Sequence, residues 1–197
     1  NNINLPIANI RSQITNLLPL LIALVEKEKV SILDYGGSAG ETYIGCLNKL
    51  KINNIVDYFV FDLDATMNIG EQLLSDFDQK LFKIHFINDI SEVKTFDIIY
   101  FGSSLPYFSD YKTVLLSVLA KQPKYLLLAD NYMGNNQTYV TAQVNMPGRR
   151  MPYWIFQFNE IVAFLTEKNY SLVYKSTNYQ PFHNFDNFPI ENEVKDS

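Results

Sequence analysis

Cysteine and histidine are scarce in this sequence. A single cysteine, Cys46, and two histidines, His85 and His183, occur among the 197 residues. One cysteine cannot form an internal disulfide. A chain without such a disulfide suits a reducing compartment, so we expect a cytoplasmic protein. A zinc site of the usual cysteine and histidine type needs more such ligands than the chain offers, and we expect no metal.

Basic charge and long apolar runs are also lacking. Lys and Arg number 16 against 21 Asp and Glu, which gives a net charge of −5. Nucleic-acid binding favours a basic surface, because counterions must be displaced from phosphates. The apolar run 17–25 contains Pro19 and is much shorter than the ~20 residues of a membrane-spanning helix. We therefore expect neither a nucleic-acid partner nor a membrane span.

Several signatures of nucleotide-binding enzymes are absent. The glycines of stretch 36–40 read Gly-Gly-x-x-Gly, which differs from the dinucleotide-binding pattern Gly-x-Gly-x-x-Gly. No Gly-Lys-Ser/Thr follows this stretch, which argues against a Walker-type NTPase. No Tyr-x-x-x-Lys pair occurs, which argues against a short-chain dehydrogenase.

What the sequence does contain is the composition of a globular protein. Hydrophobic residues make up 47% and charged residues 19% of the chain, and the length suits one domain over 1–197. Apolar residues recur at helical spacing from Ile10 to Val25, which predicts an N-terminal helical segment within 1–29.

Strands alternate with helices along the rest of the chain. Apolar segments predict strands at 30–33, 57–61, 83–87, 96–101, 125–129 and 171–176. Helical patterns fall at 41–50, 69–74, 111–120 and 158–168, and two extended segments fall at 138–144 and 153–158. This alternation predicts an α/β fold with a doubly wound, mostly parallel Rossmann-like sheet and helices on both faces.

Acidic residues follow four of the predicted strands. They are Asp34, Asp62, Asp89 and Asp130, and three glycines follow the first of them. Any one such acid more often caps the next helix than binds a ligand. Four in register, beside a glycine loop, favour a nucleoside site, because ligands of such sheets bind beyond the carboxyl ends of the strands. Asp62 also stands where a carboxylate that binds ribose hydroxyls is expected.

The glycine stretch carries a resemblance to a known family. The motif Asp34-x-Gly36-Gly37-x-x-Gly40, after an apolar strand, resembles the first motif of class I S-adenosylmethionine-dependent methyltransferases. More narrowly, stretch 33–43 resembles a family of bacterial methyltransferase-like proteins that are often associated with surface-polysaccharide gene clusters. Stretches 102–108 and 152–156 are similar as well, so the resemblance covers about 10–174.

The resemblance implies S-adenosylmethionine as the cofactor and a role for each matching residue. The loop would pass under the methionine part of the cofactor, and Asp34 would hold the loop and approach the amino group. The residues on this side would be Asp34, Gly36, Gly37, Ser38, Gly40, Gly102 and Ser103. Asp62 would bind the ribose hydroxyls. Leu63 and Ile90 would flank the adenine, with Asp89 near its exocyclic amine. The family also implies a last, antiparallel strand, which 181–197 does not resemble.

The residues for the methyl acceptor come from other segments. The candidates are Tyr107, Tyr132, Arg149, Arg150, Trp154 and His183. Residues 132–156 are expected to form an inserted hairpin or flap over the methyl end of the cofactor, with Tyr107 facing it. Trp154 could equally be a core aromatic, and Arg149-Arg150 a solvated pair. The resemblance implies a small-molecule or saccharide acceptor.

Two other functions remain open at this point. Asp62-Leu63-Asp64 resembles the first motif of haloacid-dehalogenase-type phosphatases, in which the two acids act with magnesium. That family needs a further acidic pair, whereas Asp130 is followed by Asn131. The third possibility is a methyltransferase-like binding module without activity.

Overall fold

The structure, a computed structural model, describes residues 17–47, 54–75, 81–146 and 148–176. The helices are α1 (Leu17–Leu24), α2 (Glu41–Leu47), α3 (Asp64–Leu74), α4 (Tyr111–Leu119) and α5 (Phe158–Glu167). The strands are β1 (Lys29–Tyr35), β2 (Ile55–Phe61), β3 (Phe82–Phe86), β4 (Ile98–Gly102), β5 (Tyr125–Ala129), β6 (Met133–Gly134), β7 (Tyr139–Met146) and β8 (Arg149–Gln157).

The contacts between Cα atoms divide the chain into two compact units. The first unit consists of Asn1–Leu105 and Asp110–Ala129, and the second of Pro106–Ser109 and Asp130–Ser197. In the part of the chain that the structure describes, no helix is both long and apolar enough to cross a membrane.

A five-stranded parallel sheet forms the first unit. Its strand order is β3-β2-β1-β4-β5, and each neighbouring pair is parallel. Strands such as β1 and β4 are apolar on both faces, which suits the middle of a sheet that is covered on both sides. The predicted doubly wound α/β fold is thereby confirmed. The chain order reverses between β1 and β4, and this is where ligands of such sheets bind.

The even-numbered side chains of β1 to β4, with the odd-numbered ones of β5, form one face of the sheet, which is packed by helices. Strand residues alternate between faces, so Ile32, Tyr58 and Tyr100 project to the same side. They belong to a buried cluster with residues of three helices, namely Leu18 and Ile22 of α1, Tyr43, Ile44 and Cys46 of α2, and Leu74 of α3.

The opposite face carries the odd-numbered side chains of β1 to β4. Phe59 stacks on His85 and meets Phe96 edge-on, and Tyr35 stacks on Phe101. The buried residues of α4, among them Leu115 and Val118, lie outside the first cluster. The sheet therefore buries apolar residues on both of its faces.

The second unit contains a three-stranded sheet in the order β6-β8-β7. Strands β7 and β8 form an antiparallel hairpin with an irregular register between Gln143 and Met146, and β6 pairs with β8 in parallel. The extended segments predicted at 138–144 and 153–158 correspond to the two strands of this hairpin. Helix α5 follows β8 directly and buries Ile161.

One predicted strand is wrong. Residues 171–176 are neither helix nor strand, and all six are exposed. The segment has the β-forming residues Leu172, Val173 and Tyr174, but these residues favour a strand only where a neighbouring strand and a packed face receive them. Some predictions fall outside the described residues. They concern the part of the N-terminal helical segment in 1–16, the end of the predicted helix at 48–50, and 177–197, which includes His183.

Candidate functional site

The glycine stretch forms a tight loop between β1 and α2. Gly36 and Gly40 have φ values of 75° and 88°, in the left-handed region that glycine adopts without steric cost. Ser38 also has a positive φ, 55°, which is uncommon for a residue with a side chain. The N–H of Gly36 donates a hydrogen bond of 2.7 Å to the carbonyl of Phe61 at the end of β2. The loop is thus anchored to the neighbouring strand from its first residue.

The loop after β1 touches the loop after β4. A Cβ atom added to Gly36 would lie 2.4 Å from Cβ of Ser104, so only glycine fits there. The hydroxyl of Ser104 donates to the carbonyl of Tyr35, and the N–H of Ser103 donates to the carbonyl of Ala129 at 2.9 Å. The strand order reverses between these two loops, so both line the position where a ligand is expected.

Asp62 joins the end of β2 to the glycine loop. Its Oδ2 accepts a hydrogen bond of 2.7 Å from the N–H of Ser38, and its Oδ1 accepts one of 2.6 Å from the N–H of Leu63. A carboxylate offers about four lone-pair sites, so each oxygen of Asp62 can accept a further bond. The side chain of Leu63 is 75% exposed, although leucine is usually buried. Asp62 and Leu63 therefore place a carboxylate and an open apolar side chain next to each other.

Asp34 lies beneath the loop. The residue is only 1% exposed, and its Oδ2 accepts a hydrogen bond of 2.6 Å from the hydroxyl of Tyr58. A Cβ atom on Gly37 would lie 2.6 Å from Cγ of Asp34, so the main chain of the loop rests directly on this carboxylate. Burial, and then the charge of Asp34, raise the pKa of Tyr58 well above its usual value, which keeps its hydroxyl protonated as a donor.

Asp89 caps a short 3-10 helix, Ile90–Glu92. Its carboxylate accepts bonds from the N–H and the hydroxyl of Ser91, at 2.8 and 2.6 Å, and these bonds lower its pKa. The carboxylate of Glu92 in turn accepts from the N–H of Asp89 at 3.3 Å, which completes a capping box. Ile90 is half-buried. The capping role that any single acid at a strand end suggests is therefore present at Asp89.

The geometry of the first unit can be compared with known structures. Comparisons with protein-family models and with curated proteins find no match. Among solved structures, a S-adenosylmethionine-dependent methyltransferase from Clostridium acetobutylicum is similar over 85% of this chain and 84% of its own, with a TM-score of 0.59 and 15% identity. The chain has the class I methyltransferase fold.

Two further structures share this class I methyltransferase fold. The N-terminal domain of EvdMO1, solved with S-adenosylhomocysteine and D-fucose, has a TM-score of 0.56 at 11% identity, over 85% of this chain and 76% of its own. The glycopeptide N-methyltransferase MtfA has a TM-score of 0.55 at 10% identity, over 88% and 92%. At such identities the likeness establishes the fold.

In the class I methyltransferase fold of this chain, the cofactor-side candidates gather at the carboxyl ends of the parallel strands. The loop residues Gly36 to Gly40 follow β1, Asp62 and Leu63 follow β2, and Asp89 and Ile90 follow β3. Gly102 and Ser103 end β4 and begin its loop. Among the residues that the structure describes, no group of three His, Cys, Asp or Glu side chains is close enough to hold a metal ion.

The second unit brings three tyrosines together. Tyr153, which lies on β8 and is 6% exposed, meets the rings of Tyr107 and Tyr132 edge-on, with centroids 5.3 and 5.9 Å away. The hydroxyl of Tyr107 donates to Oε1 of Gln143 on β7 at 2.7 Å. Burial raises the pKa of Tyr153, and the neighbouring tyrosines and Asp130 raise it further. Burial and then Asp130 raise the pKa of Tyr132.

Of the other acceptor candidates of the second unit, the two arginines begin β8 and Trp154 lies further along the same strand. Arg149 and Arg150 are exposed at the start of β8, and their side chains point to opposite faces because strand residues alternate. Trp154 is half-buried and pairs with Val140 across the hairpin.

Sequence reasoning missed two residues that organise these units. Tyr153 is at the centre of the tyrosine group, and Tyr58 holds Asp34. A signal for Tyr58 was present, because it stands between Val56 and Val60 on the side of β2 that alternation assigns to the core. A hydroxyl at such a position needs a buried acceptor. No comparable pattern distinguishes Tyr153.

Proposed function

We propose that this protein is an S-adenosylmethionine-dependent methyltransferase that acts on a small-molecule or saccharide acceptor. The observation that carries the proposal is the bond from Ser38 to Asp62, which fixes the glycine loop to the end of β2 beside the strand-order reversal. This arrangement puts the main chain of the glycine loop, a carboxylate and an exposed leucine in one place. Each of these features suits a different part of an adenosine-containing ligand.

The residues at this position fit the cofactor chemically. Ribose hydroxyls are donors, and Asp62 keeps lone pairs for them after accepting from Ser38 and Leu63. The exposed side chain of Leu63 would cover an adenine face, since apolar surface gains from leaving water. Asp34 is covered by Gly37, so in this proposal it acts by holding the loop.

The protein would act mainly by binding and alignment. When bound, S-adenosylmethionine supplies a methyl group on a sulfonium, and a neutral thioether leaves. The residues of the chain would then orient the acceptor atom in line with the methyl and exclude water. A base is required only where the acceptor must lose a proton, and we assign none.

The first test is calorimetric titration with S-adenosylhomocysteine. We expect binding to the wild type, and Asp62→Ala should weaken it by about 1.5–3 kcal/mol, the scale of a hydrogen bond to a charged group. Asp64→Ala removes an exposed acid two residues away and serves as the matched control, with affinity close to wild type. Equal affinities of the Asp62 variant and the wild type would refute the ribose role.

The same protein tests the phosphatase alternative. Both oxygens of Asp62 already accept main-chain bonds, which is an unfavourable state for a nucleophile. The phosphatase would be preferred if three results came together. The wild type would hydrolyse a phosphate monoester with magnesium, both Asp62→Asn and Asp64→Asn would lose this activity, and S-adenosylhomocysteine would not bind. Binding without any methyl transfer would favour the inactive module.

The saccharide acceptor is the finer part of the proposal. Support comes from the sequence resemblance to proteins of surface-polysaccharide clusters and from EvdMO1, whose N-terminal domain was solved in the presence of D-fucose. The tyrosine group of the second unit is the kind of aromatic surface that packs on sugar rings. That the hairpin covers the methyl end of the cofactor stays a prediction. Mass spectrometry of reactions with nucleotide sugars tests the acceptor class, and methylation of non-sugar acceptors alone would contradict it.

A further inference from the structure

Glu41 has an unusual carboxylate. It is the first residue of α2, directly after Gly40, and the residue as a whole is half-buried. Its Oε2 is buried and has no hydrogen-bond partner among the residues that the structure describes. Its Oε1 accepts one long bond, of 3.4 Å, from the hydroxyl of Ser38. One of the two oxygens of this carboxylate is therefore buried without a donor in the described part of the chain.

An unpaired buried carboxylate oxygen lowers the stability of the folded protein. Native structures pair nearly all buried polar atoms, because an unsatisfied one keeps its desolvation cost without any compensating bond. An acid in the first turn of a helix interacts favourably with the helix dipole, but an exposed acid would have the same effect. Helix stabilisation therefore explains an acid at this position and leaves its covered oxygen unexplained.

The neighbours of Glu41 indicate what the missing partner is. Ser38 contacts two acids, since its N–H donates to Asp62 and its hydroxyl to Glu41. Asp34, the third acid of the loop, accepts from Tyr58. Within the described residues, Oε2 of Glu41 is thus an acceptor without a donor, and it lies next to the loop that, under the proposed function, carries the methionine part of the cofactor. That part has one cationic donor group, the α-ammonium.

We propose that Glu41 binds the α-ammonium group of the cofactor's methionine part, an inference that rests on the proposed function. The long bond to Ser38 is weak, so it resists rotation of the side chain little when an ammonium approaches. Rotation uncovers Oε2 and exchanges an unpaired oxygen for a charge-assisted bond. Glu41 then selects ligands that carry the amino group.

Two ligands and two variants test the proposal. S-adenosylhomocysteine and its deamino analogue, in which hydrogen replaces the ammonium, are titrated into the wild type, Glu41→Gln and Glu28→Gln. Glu28 is exposed and precedes β1, at the other end of the strand from the loop, and serves as the matched control. We expect Glu41→Gln to bind S-adenosylhomocysteine about 10-fold or more weakly, the equivalent of one hydrogen bond to a charge. Its affinity for the deamino analogue should change less than about 2-fold.

Thermal unfolding without ligand gives a second readout. Because the covered oxygen destabilises the ligand-free protein, Glu41→Gln should melt at the wild-type temperature or above it. A variant that fails to fold, or melts well below wild type, contradicts the proposal and favours the helix-dipole role. Equal loss of affinity for both ligands, or no loss for either, also overturns it. If the wild type does not bind S-adenosylhomocysteine, the proposed function itself is wrong. If the wild type binds it and Glu41→Gln binds it equally well, only the role of Glu41 is wrong.

Discussion

Single acids at the strand ends have different surroundings, although the sequence presents them alike. Asp34 is buried and accepts from a tyrosine, Asp62 accepts from the main chain of the loop, and Asp89 caps a short helix. Asp130 belongs to the second unit and raises the pKa of two tyrosines there. The sequence could place these acids near strand ends, but the donor that each one meets depends on the fold around it.

The bond between Tyr58 and Asp34 gives a prediction at the scale of one residue. Tyr58→Phe removes a donor from a buried carboxylate, so we expect a loss of about 1.5–3 kcal/mol in the free energy of unfolding. Tyr43→Phe is the matched control, because the buried hydroxyl of Tyr43 donates to a neutral carbonyl, that of Phe82, at the same 2.6 Å. Its loss should be about 0.5–1.5 kcal/mol. Urea unfolding of both variants measures the difference, and an equal or larger loss for Tyr43→Phe would contradict the charged character of the Asp34 bond.

At the scale of elements, the loop between β1 and α2 depends on glycine for two separate reasons. The φ value of 75° at Gly36 disfavours any side chain, and Ser104 occupies the space that a Cβ atom would need. Gly148, at the tip of the hairpin, has nearly the same φ of 77°, but no atom of the described residues beyond its chain neighbours lies within 4 Å of the position that a Cβ atom would take there. Comparing substitutions at the two glycines therefore distinguishes the cost of a left-handed backbone from the cost of steric overlap with Ser104.

Alanine substitutions at these two glycines test that separation. Gly148→Ala should cost about 1–2 kcal/mol of unfolding free energy from the left-handed backbone alone. Gly36→Ala should cost a further 1–3 kcal/mol or so, because Ser104 must move. Chemical denaturation measures both losses. Equal losses would mean that the loops after β1 and β4 are not packed against each other as described.

Elements with two buried faces were predictable, whereas elements that depend on a partner were not. Strands β1, β2, β4 and β5 lie within one or two residues of the predicted segments, because their apolar runs are required by a covered parallel sheet. Helix α3 begins at Asp64, five positions before the predicted start, since its first turns are polar and show no apolar period. Segment 171–176 has the composition of a strand, but no strand of the described residues pairs with it. The glycine loop was recognisable because left-handed positions restrict which residues can occupy them.

At the scale of the whole molecule, the sequence predicted the fold class but not the order of the strands or the division into two units. Strand order arises from long-range pairing, for which local patterns carry no information. One side chain whose contacts depend on this pairing is Asp57 on β2. It forms an ion pair with Lys29 of β1, and its Oδ1 lies at hydrogen-bond distance, 3.3 Å, from Nε2 of His85 of β3. Asp57 therefore connects three neighbouring strands that are far apart in the sequence.

The pH dependence of stability should report this connection. Burial raises the pKa of Asp57, but the hydrogen bonds and charges of Lys29 and His85 lower it by more, so the net pKa lies below the usual value. A carboxyl with a lowered pKa stabilises the folded state above the pKa of the unfolded chain, about 3.9, and this contribution disappears as the pH falls through the folded-state pKa. Asp57→Asn should thus lower the free energy of unfolding by about 1 kcal/mol at pH 7 and have a much smaller effect once the pH falls below the folded-state pKa.

Urea unfolding of the wild type and of Asp57→Asn at several pH values between these limits measures the effect. Glu28→Gln, which alters an exposed acid just before β1, is the matched control and should show no such dependence. The difference between wild type and Asp57→Asn should shrink only in the acid range, because above it Asp57 is ionised in both the folded and the unfolded chain. A difference that stays constant from pH 7 down to the acid limit would show that Asp57 contributes through packing, and that its charge does not stabilise the pairing of β1, β2 and β3.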